Sequence, residues 1–396
     1  MNKSLVVVSH VQHYQWQGRL WALGPYVREI DIWADIFPEV VICSPCKNDK
    51  PTGDCLPFSR SNISINPVFL KGGGKGLRNK AAQILSLPSV VWKLSRAMKR
   101  AWAIHVRLPG NLGMIGAVLA PIFSRRIIAK YAGTWPEFDG ESFSYQLQKK
   151  ILRSKWFKGP VTVYGRWPNQ PNHIVPFFTS ILTDEQINLA KISATNRLPH
   201  QPARILFVGR FDKGKNAHIL ISALDELRKN GIAFEAHIVG DGTERDNLHQ
   251  QVKDMRMQES VYFTGAIPFN EVLDQYSWAD FLVLTSENAE GWPKAIAEGM
   301  AFGLVCFGST RGLIPQMLEN GRGIVIDPIT PQNLADGLKT VIEDQAKYFE
   351  ISEKASKWSH NYSLDGLKIS LINLLNSQWH ADLYDLNPQA NQRSDG

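Results

Sequence analysis

Two glutamates, Glu290 and Glu298, stand with seven residues between them in the run Glu290-Gly291-Trp292-Pro293-Lys294-Ala295-Ile296-Ala297-Glu298. The run follows a short apolar segment that reads as a buried strand, and it opens a helical pattern. Gly291 ahead of Pro293 marks a helix start, and the unpaired N–H groups at such a start, here those after Gly291 at Trp292, Lys294 and Ala295, favour an anion. A carboxylate on each side can accept hydrogen bonds from sugar hydroxyls. Read alone, the two glutamates fit an ordinary solvated surface equally well.

A second candidate is Val208-Gly209-Arg210-Phe211-Asp212-Lys213-Gly214-Lys215-Asn216. An apolar strand ends there in a glycine turn carrying Arg210, Lys213 and Lys215. Cations at the carboxyl end of a strand can neutralise a diphosphate; loop charges in water are the plainer alternative. The turn Gly240-Asp241-Gly242 lets a ligand approach the backbone closely, and Phe263-Thr264-Gly265 ends a later strand in the same way. Each of these is weak by itself.

The elements that must hold these residues follow from the alternation of apolar strand-like runs with helical ones. In the first half, Leu5–Val8, Val40–Cys43, Ile104–Arg107, Ile127–Tyr131, Val161–Tyr164 and His173–Val175 read as strands. A Pro-containing polar stretch, Leu198–Ala203, reads as a linker. A second alternation then begins: strands Arg204–Val208, Ala233–Val239, Val261–Phe263, Phe281–Thr285, Leu304–Phe307 and Gly323–Val325, with helices between them, one opened by Asn270 as its N-cap. This predicts two doubly wound α/β domains, residues 1–197 and 198–361, with ligands at the strands' carboxyl ends in a cleft between the domains. The helical run Leu364–Trp379 lies in a C-terminal helix, about 362–385, and the polar tail 386–396 reads as disordered.

The chain has 396 residues, 44% hydrophobic and 20% charged, a globular composition that excludes disordered, collagen-like and coiled-coil chains. No apolar run reaches the length of a membrane span. The apolar run at the start turns polar at Ser9 and reads as a first strand rather than a signal peptide, which places the protein in the cytoplasm. Four cysteines fit free thiols; Cys43 and Cys46 have zinc-ligand spacing, with Cys55 close by, but no fourth ligand stands near them. The net charge of +7 is uneven. Between Lys71 and Lys158 lie 17 basic and three acidic residues, and the second half of the chain is acidic. Gly76–Trp102 and Tyr145–Phe157 read as amphipathic helices with basic faces and aromatic residues, suited to an anionic membrane surface; two helices covering a sheet is the alternative. No nucleic-acid-binding motif is present, and nucleic acid is not an expected partner.

In their order and spacing over residues 203–340, these motifs resemble the retaining GT-B glycosyltransferases of family 4. The paired glutamates match Glu290 and Glu298, the Arg and Lys five apart match Arg210 and Lys215, and the Gly-Asp-Gly turn and the strand ending in Thr264-Gly265 fall in sequence. The resemblance implies a GT-B fold of two Rossmann-like domains, with the C-terminal helix packing back on the first. Arg210 and Lys215 would bind the donor diphosphate, and Glu298 the ribose. Glu290, with the amides after Gly291, would hold the sugar. The base would lie near Gly240, Asp241, Thr264 and Gly265, with Gly209 in the phosphate turn. No metal is expected. The implied reaction is retaining transfer of a hexose, glucose as the first expectation, from a nucleotide sugar, UDP-linked as the first expectation. The acceptor would be a lipid-linked or oligosaccharide glycan in exopolysaccharide, capsule or lipopolysaccharide synthesis at the inner face of the membrane. The family's first-domain histidine has no match, since Ala132 stands in its place; His105, His10 and His13 are the substitutes, His105 foremost. The stretch Gln15–Gly24, with Gly18 and Arg19, reads as a loop lining the acceptor or phosphate side. A catalytically inactive nucleotide-sugar-binding partner and a nucleotide-sugar epimerase of the same fold are the alternatives.

Overall fold

The computed structural model describes residues 3–70, 77–138, 140–195, 197–288 and 290–383. They form two compact units, one running to Ile181 and taking in the segment from Leu364, the other Leu182–Ser363. The expected tail, 386–396, and the first residues of the expected basic stretch, 71–76, lie outside the described residues.

The first unit contains β1 (Ser4–Val8), β2 (His13–Trp16), β3 (Arg19–Leu23), α1 (Gly24–Ile36), β4 (Glu39–Ser44), β5 (Cys46–Lys47), β6 (Cys55–Pro57), β7 (Ile63–Pro67), α2 (Leu77–Met98), β8 (Ala103–Leu108), α3 (Asn111–Phe123), β9 (Ile127–Tyr131), α4 (Phe143–Arg153), β10 (Val161–Tyr164) and β11 (Ile174–Phe177). Its main sheet has the order β11-β10-β9-β8-β1-β4-β7, and every pairing in it is parallel. The central strands are buried along their whole length because helices cover both faces, so they read as unbroken apolar runs. On one face α1 packs with Trp33 and Phe37 inward. On the other, Val90, Leu94 and Met98 of α2 and Leu112 and Ala117 of α3 fill the core.

The second unit contains α5 (Asp184–Ala194), β12 (Ala203–Val208), α6 (Ala217–Lys229), β13 (Phe234–Val239), α7 (Arg245–Asp254), β14 (Val261–Gly265), α8 (Phe269–Trp278), β15 (Phe281–Leu284), α9 (Lys294–Ala301), β16 (Val305–Gly308), α10 (Ile314–Leu318), β17 (Ile324–Val325), α11 (Pro331–Ile342) and α12 (Gln345–Ser359). Its sheet, β14-β13-β12-β15-β16-β17, is again all parallel. The chain then returns as α13 (Leu364–Trp379), which packs on α1 and sets Trp379 edge-on to Phe37 and Trp102. Both units are Rossmann-like, as the sequence predicts.

Several local expectations are corrected. The stretch Gln15–Gly24 is not a loop: β2 and β3 pair antiparallel across the two-residue turn Gln17-Gly18 and join β5 and β6 in a small sheet. Gln17 and Gly18 sit at φ of 50° and 72°, the geometry of a type I′ hairpin turn, so Gly18 has a conformational reason to be glycine. Asn270 is not an N-cap, because α8 starts at Phe269 behind Pro268. The expected helix over Tyr145–Phe157 runs instead from Phe143 to Arg153, capped by Ser142. Lys149 in it is no surface cation; it is fully buried in an ion pair with Glu141.

Candidate functional site

In the second unit the chain leaves β12 for β13 and β14 on one side, then crosses back to β15, β16 and β17 on the other. The carboxyl ends of β12 and β15 therefore flank a topological switch point, where α/β sheets take ligands. The loops that carry the sequence motifs meet there. After β12, Gly209 N–H donates to the Val239 carbonyl (3.0 Å) and Phe211 N–H to the Asp241 carbonyl (2.9 Å). Gly240 N–H in turn donates to the Gly265 carbonyl (3.0 Å), and Thr264 Oγ1 to the same oxygen (2.9 Å). A Cβ on Gly240 would lie 1.8 Å from the Gly209 carbonyl oxygen, and its φ is +142°, so the stacking of these two turns requires glycine. Gly209, Gly240, Asp241, Thr264 and Gly265 are thus brought together.

The loop after β12 continues into a single turn, Lys213–Lys215, capped by the Asp212 carboxylate, which accepts from Lys215 N–H at 3.1 Å. Thr285, at the end of β15, donates its hydroxyl to the carbonyls of Lys215 (2.8 Å) and Asn216 (2.9 Å) and pins this turn against the switch point. The consequence is an ion pair between residues 75 apart in sequence: Lys215 Nζ lies 2.5 Å from Glu290 Oε1. Ser286 Oγ donates to the same carboxylate oxygen at 2.8 Å, and Ser309 Oγ holds the Ser286 carbonyl. The Glu290 carbonyl accepts from Leu313 N–H (2.9 Å), which fixes the loop before α9.

Helix α9 starts at Lys294 behind Pro293, with no side chain capping it. The N–H groups of a first helical turn have no intrahelical acceptor, so those of Lys294 and Ala295 are available to an anion. Glu298, one turn into the helix, is buried, and its Oε2 accepts from the Tyr276 hydroxyl at 2.9 Å. Burial and the neighbouring carboxylate push the Tyr276 phenol well above its ordinary pKa, so it remains a donor. Arg210 is exposed at the end of β12. Gly291 and Trp292 lie in the loop, and Trp292 stacks with Trp358 and meets Tyr362 edge-on.

Two sequence candidates lie elsewhere, in the first unit. His105 is in the interior of β8, completely buried, with its ring 4.4 Å from that of Trp33. Burial holds its pKa well below the ordinary value. It is a neutral core residue, which removes the expectation that it substitutes for the missing histidine at the sugar. Gly18 is at the exposed tip of the hairpin, and a Cβ there would meet no atom within 4 Å. Tyr276, Thr285, Ser286 and Ser309 were not singled out from sequence. Thr285 and Ser286 follow an apolar strand directly, a position that signals the strand's ligand-facing end; Tyr276 carries no comparable signal. Among the described residues, no group of three or more His, Cys, Asp and Glu side chains could hold a metal ion.

Two Rossmann-like units of parallel sheet are the fold of the GT-B glycosyltransferases. Residues 190–358, all within the second unit, match the family described as Glycosyl transferases group 1. The chain is 27% identical over 147 residues to a putative colanic acid biosynthesis glycosyltransferase, WcaL, of Salmonella typhimurium. It is 31% identical over 148 residues to the amylovoran biosynthesis glycosyltransferase AmsK of Erwinia amylovora. Each alignment spans 36% of this chain and 36% of the relative's length. The solved structure of Anabaena Alr3699/HepE in complex with UDP and glucose shares the fold, with a TM-score of 0.64 over 95% of this chain and 100% of that one, at 16% identity.

Proposed function

We propose that the protein is a retaining, metal-independent hexosyltransferase. It moves a sugar, glucosyl as the first choice, from a nucleotide sugar, UDP-linked as the first choice, to a lipid-linked glycan in the synthesis of an exopolysaccharide, capsule or lipopolysaccharide. The observation that carries this reading is the Lys215–Glu290 pair set beside the uncapped start of α9 at the switch point. The relatives named for colanic acid and amylovoran biosynthesis, and the related fold that holds UDP and glucose, support the substrate class.

The bond that breaks joins the sugar's anomeric carbon to the diphosphate oxygen. Negative charge grows on the departing diphosphate, and the cations Arg210 and Lys215, with the N–H groups of Lys294 and Ala295, neutralise it; fixed donors and charges of this kind are the largest contribution to such catalysis. Glu290 holds sugar hydroxyls and Glu298 the ribose hydroxyls. The acceptor hydroxyl attacks the face the diphosphate leaves, and its proton passes to a departing phosphate oxygen. Gly209, Gly240, Asp241, Thr264 and Gly265 border the base.

The reading places the acceptor on an anionic membrane surface. Helices α2, α3 and α4 of the first unit are neighbours and carry exposed apolar side chains: Leu85 (81% exposed) and Trp92 (60%) on α2, Ile122 (60%) on α3 and Phe143 (75%) on α4, with Trp156 just past α4. Arg96, Lys99, Lys150 and Lys155 are exposed in the same segments. Basic and aromatic residues on helices suit the headgroup layer. No helix among the described residues is long and apolar enough to cross a membrane; the proposed attachment is peripheral, from the cytoplasmic side. The test is incubation with UDP-glucose, UDP-galactose, UDP-N-acetylglucosamine and GDP-mannose, with and without a lipid-diphosphate acceptor, scoring free nucleotide and transferred sugar. Acceptor-dependent nucleotide release with transfer is expected. A changed sugar without transfer would indicate an epimerase, and donor binding without turnover an inactive partner.

A further inference from the structure

The first unit has a switch point of its own. From β1 the chain proceeds to β4 and β7 on one side, then crosses to β8, β9, β10 and β11 on the other, so the carboxyl ends of β1 and β8 flank it. His10, just past β1, packs against Gly110, just past β8: a Cβ on Gly110 would lie 2.6 Å from His10 Nδ1. Next to this point Arg107 of β8 and Lys130 of β9 stand opposite one another in register. Both reach the same partner on α1. Arg107 grips both carboxylate oxygens of Glu29, and Lys130 Nζ donates to Glu29 Oε2 at 2.8 Å.

Two cations therefore share one carboxylate in a place where the three side chains keep only 6–9% of their surface. Among the described residues, the other groups around them add no negative charge. The Tyr26 ring lies under Arg107 (5.0 Å) and the Tyr164 ring under Lys130 (5.3 Å). Burial keeps Tyr26 protonated. Burial first and the Arg107 charge second hold the His105 pKa well below its ordinary value, and the same two causes lower that of His10. An uncompensated buried charge costs several kcal/mol. The same unit shows what a purely structural pair looks like: Lys149 and Glu141 match one cation to one carboxylate and are sealed completely. The triad differs in carrying one positive charge too many, in retaining a small opening, and in lying beside a switch point.

We propose that Arg107, Lys130 and Glu29, with His10 at the rim, form an anion-binding subsite that receives a phosphate or carboxylate group of the acceptor. The acceptor role rests on the glycosyl-transfer reading; the binding of an anion does not. The incoming oxyanion supplies the missing negative charge and accepts the Lys130 N–H groups that Glu29 leaves over. Phosphate from a lipid-linked acceptor and carboxylate from an acidic sugar share this chemistry.

The test is calorimetry on the full chain with inorganic phosphate and, separately, glucuronate as probes. It is done in the Lys215→Ala background to suppress phosphate binding at the donor side. Saturable binding of at least one probe is expected, weakened at least tenfold by Lys130→Gln. Because burial lowers the Lys130 pKa to about 8, binding near pH 8 is expected to take up a proton, read from buffers of different ionisation enthalpy. Glu29→Gln, which adds to the excess charge, is expected to shift affinity the other way, tightening binding at least threefold; this variant and the proton uptake decide the matter if Lys130→Gln fails to fold. Phosphate binding alone assigns a phosphate-bearing acceptor, and glucuronate binding alone an acidic sugar. No saturable binding of either probe, or equal affinity in all three backgrounds, overturns the subsite. Nucleotide release from the donor panel, measured on unsubstituted protein, reports on the transfer reading separately.

Discussion

Replacing Lys215 by Ala separates catalysis from folding. The Lys215–Glu290 pair retains 23% and 17% of its side-chain surface, so it is partly solvated, and a pair of this kind contributes about 1 kcal/mol or less to stability. In a unit of this size that is a shift of roughly 2–4 °C in Tm. Its effect on reaction is larger, because the ammonium faces charge that develops only as the diphosphate leaves; one such contact is worth about 3 kcal/mol, or roughly a hundredfold or more in turnover. Nucleotide release at saturating donor reads the rate, and a thermal melt reads the fold. Glu290→Gln gives the complementary result. It removes the charge that holds Lys215 in the resting protein (2.5 Å), so free UDP is expected to bind more tightly than to the unsubstituted chain while transfer falls. Lys215→Ala weakens UDP binding instead. Near-normal turnover in Lys215→Ala refutes the diphosphate assignment. Equal weakening of UDP binding by both substitutions refutes the idea that the pair is a donor-side switch of partners and makes it a structural contact.

Three further outcomes are expected. Tyr276→Phe removes a hydrogen bond to the buried Glu298 carboxylate, a contact of about 1.5–3 kcal/mol; UDP affinity measured by calorimetry should fall, and Glu298→Ala should lower it at least as far. His13 is buried, with Nδ1 2.8 Å from the Val11 carbonyl oxygen, and burial lowers its pKa to about 4. The unfolded chain takes up that proton near 6.5, so His13 contributes a loss of stability of about 3 kcal/mol as pH falls from about 6.5 to 4; denaturant midpoints across that range check it, and His13→Gln should make the profile shallower by that amount, the buried His105 supplying the slope that remains. Sedimentation with anionic vesicles should carry the protein down at low salt and release it at high salt, since each basic residue at the surface contributes about 1 kcal/mol; Trp92→Ser with Leu85→Ser should reduce it, and equal binding to neutral vesicles would reduce the basic face to a solvated surface.

The buried strands of both parallel sheets were legible in the sequence because strands covered on two sides are unbroken apolar runs, as at Leu5–Val8 and Arg204–Val208, and that pattern is local; the edge strand β7, Ile63–Pro67, was missed because it is half-exposed and mixes polar residues with apolar ones. The carboxyl-end motifs were legible for the same reason: Gly209–Lys215 and Glu290–Glu298 each abut such a run. The hairpin of β2 and β3 was not, since its strands mix polar and aromatic residues at a half-exposed position and its turn, Gln17-Gly18, lacks the usual Asn or Asp. Burial of charge was not legible at all. Lys149, Arg107 and Lys130 count in a composition as surface cations, and His105 counts as a candidate at a strand end; only the tertiary structure encloses them. Sequence spacing likewise places Lys215 and Glu290 in separate motifs. Their pairing was decided by the order of the sheet, which sets β12 beside β15 and brings two loops 75 residues apart to one point. Local periodicity records which face of an element is apolar. The partner of a charge and the water left around it depend on which elements become neighbours, and that is settled only when the chain folds.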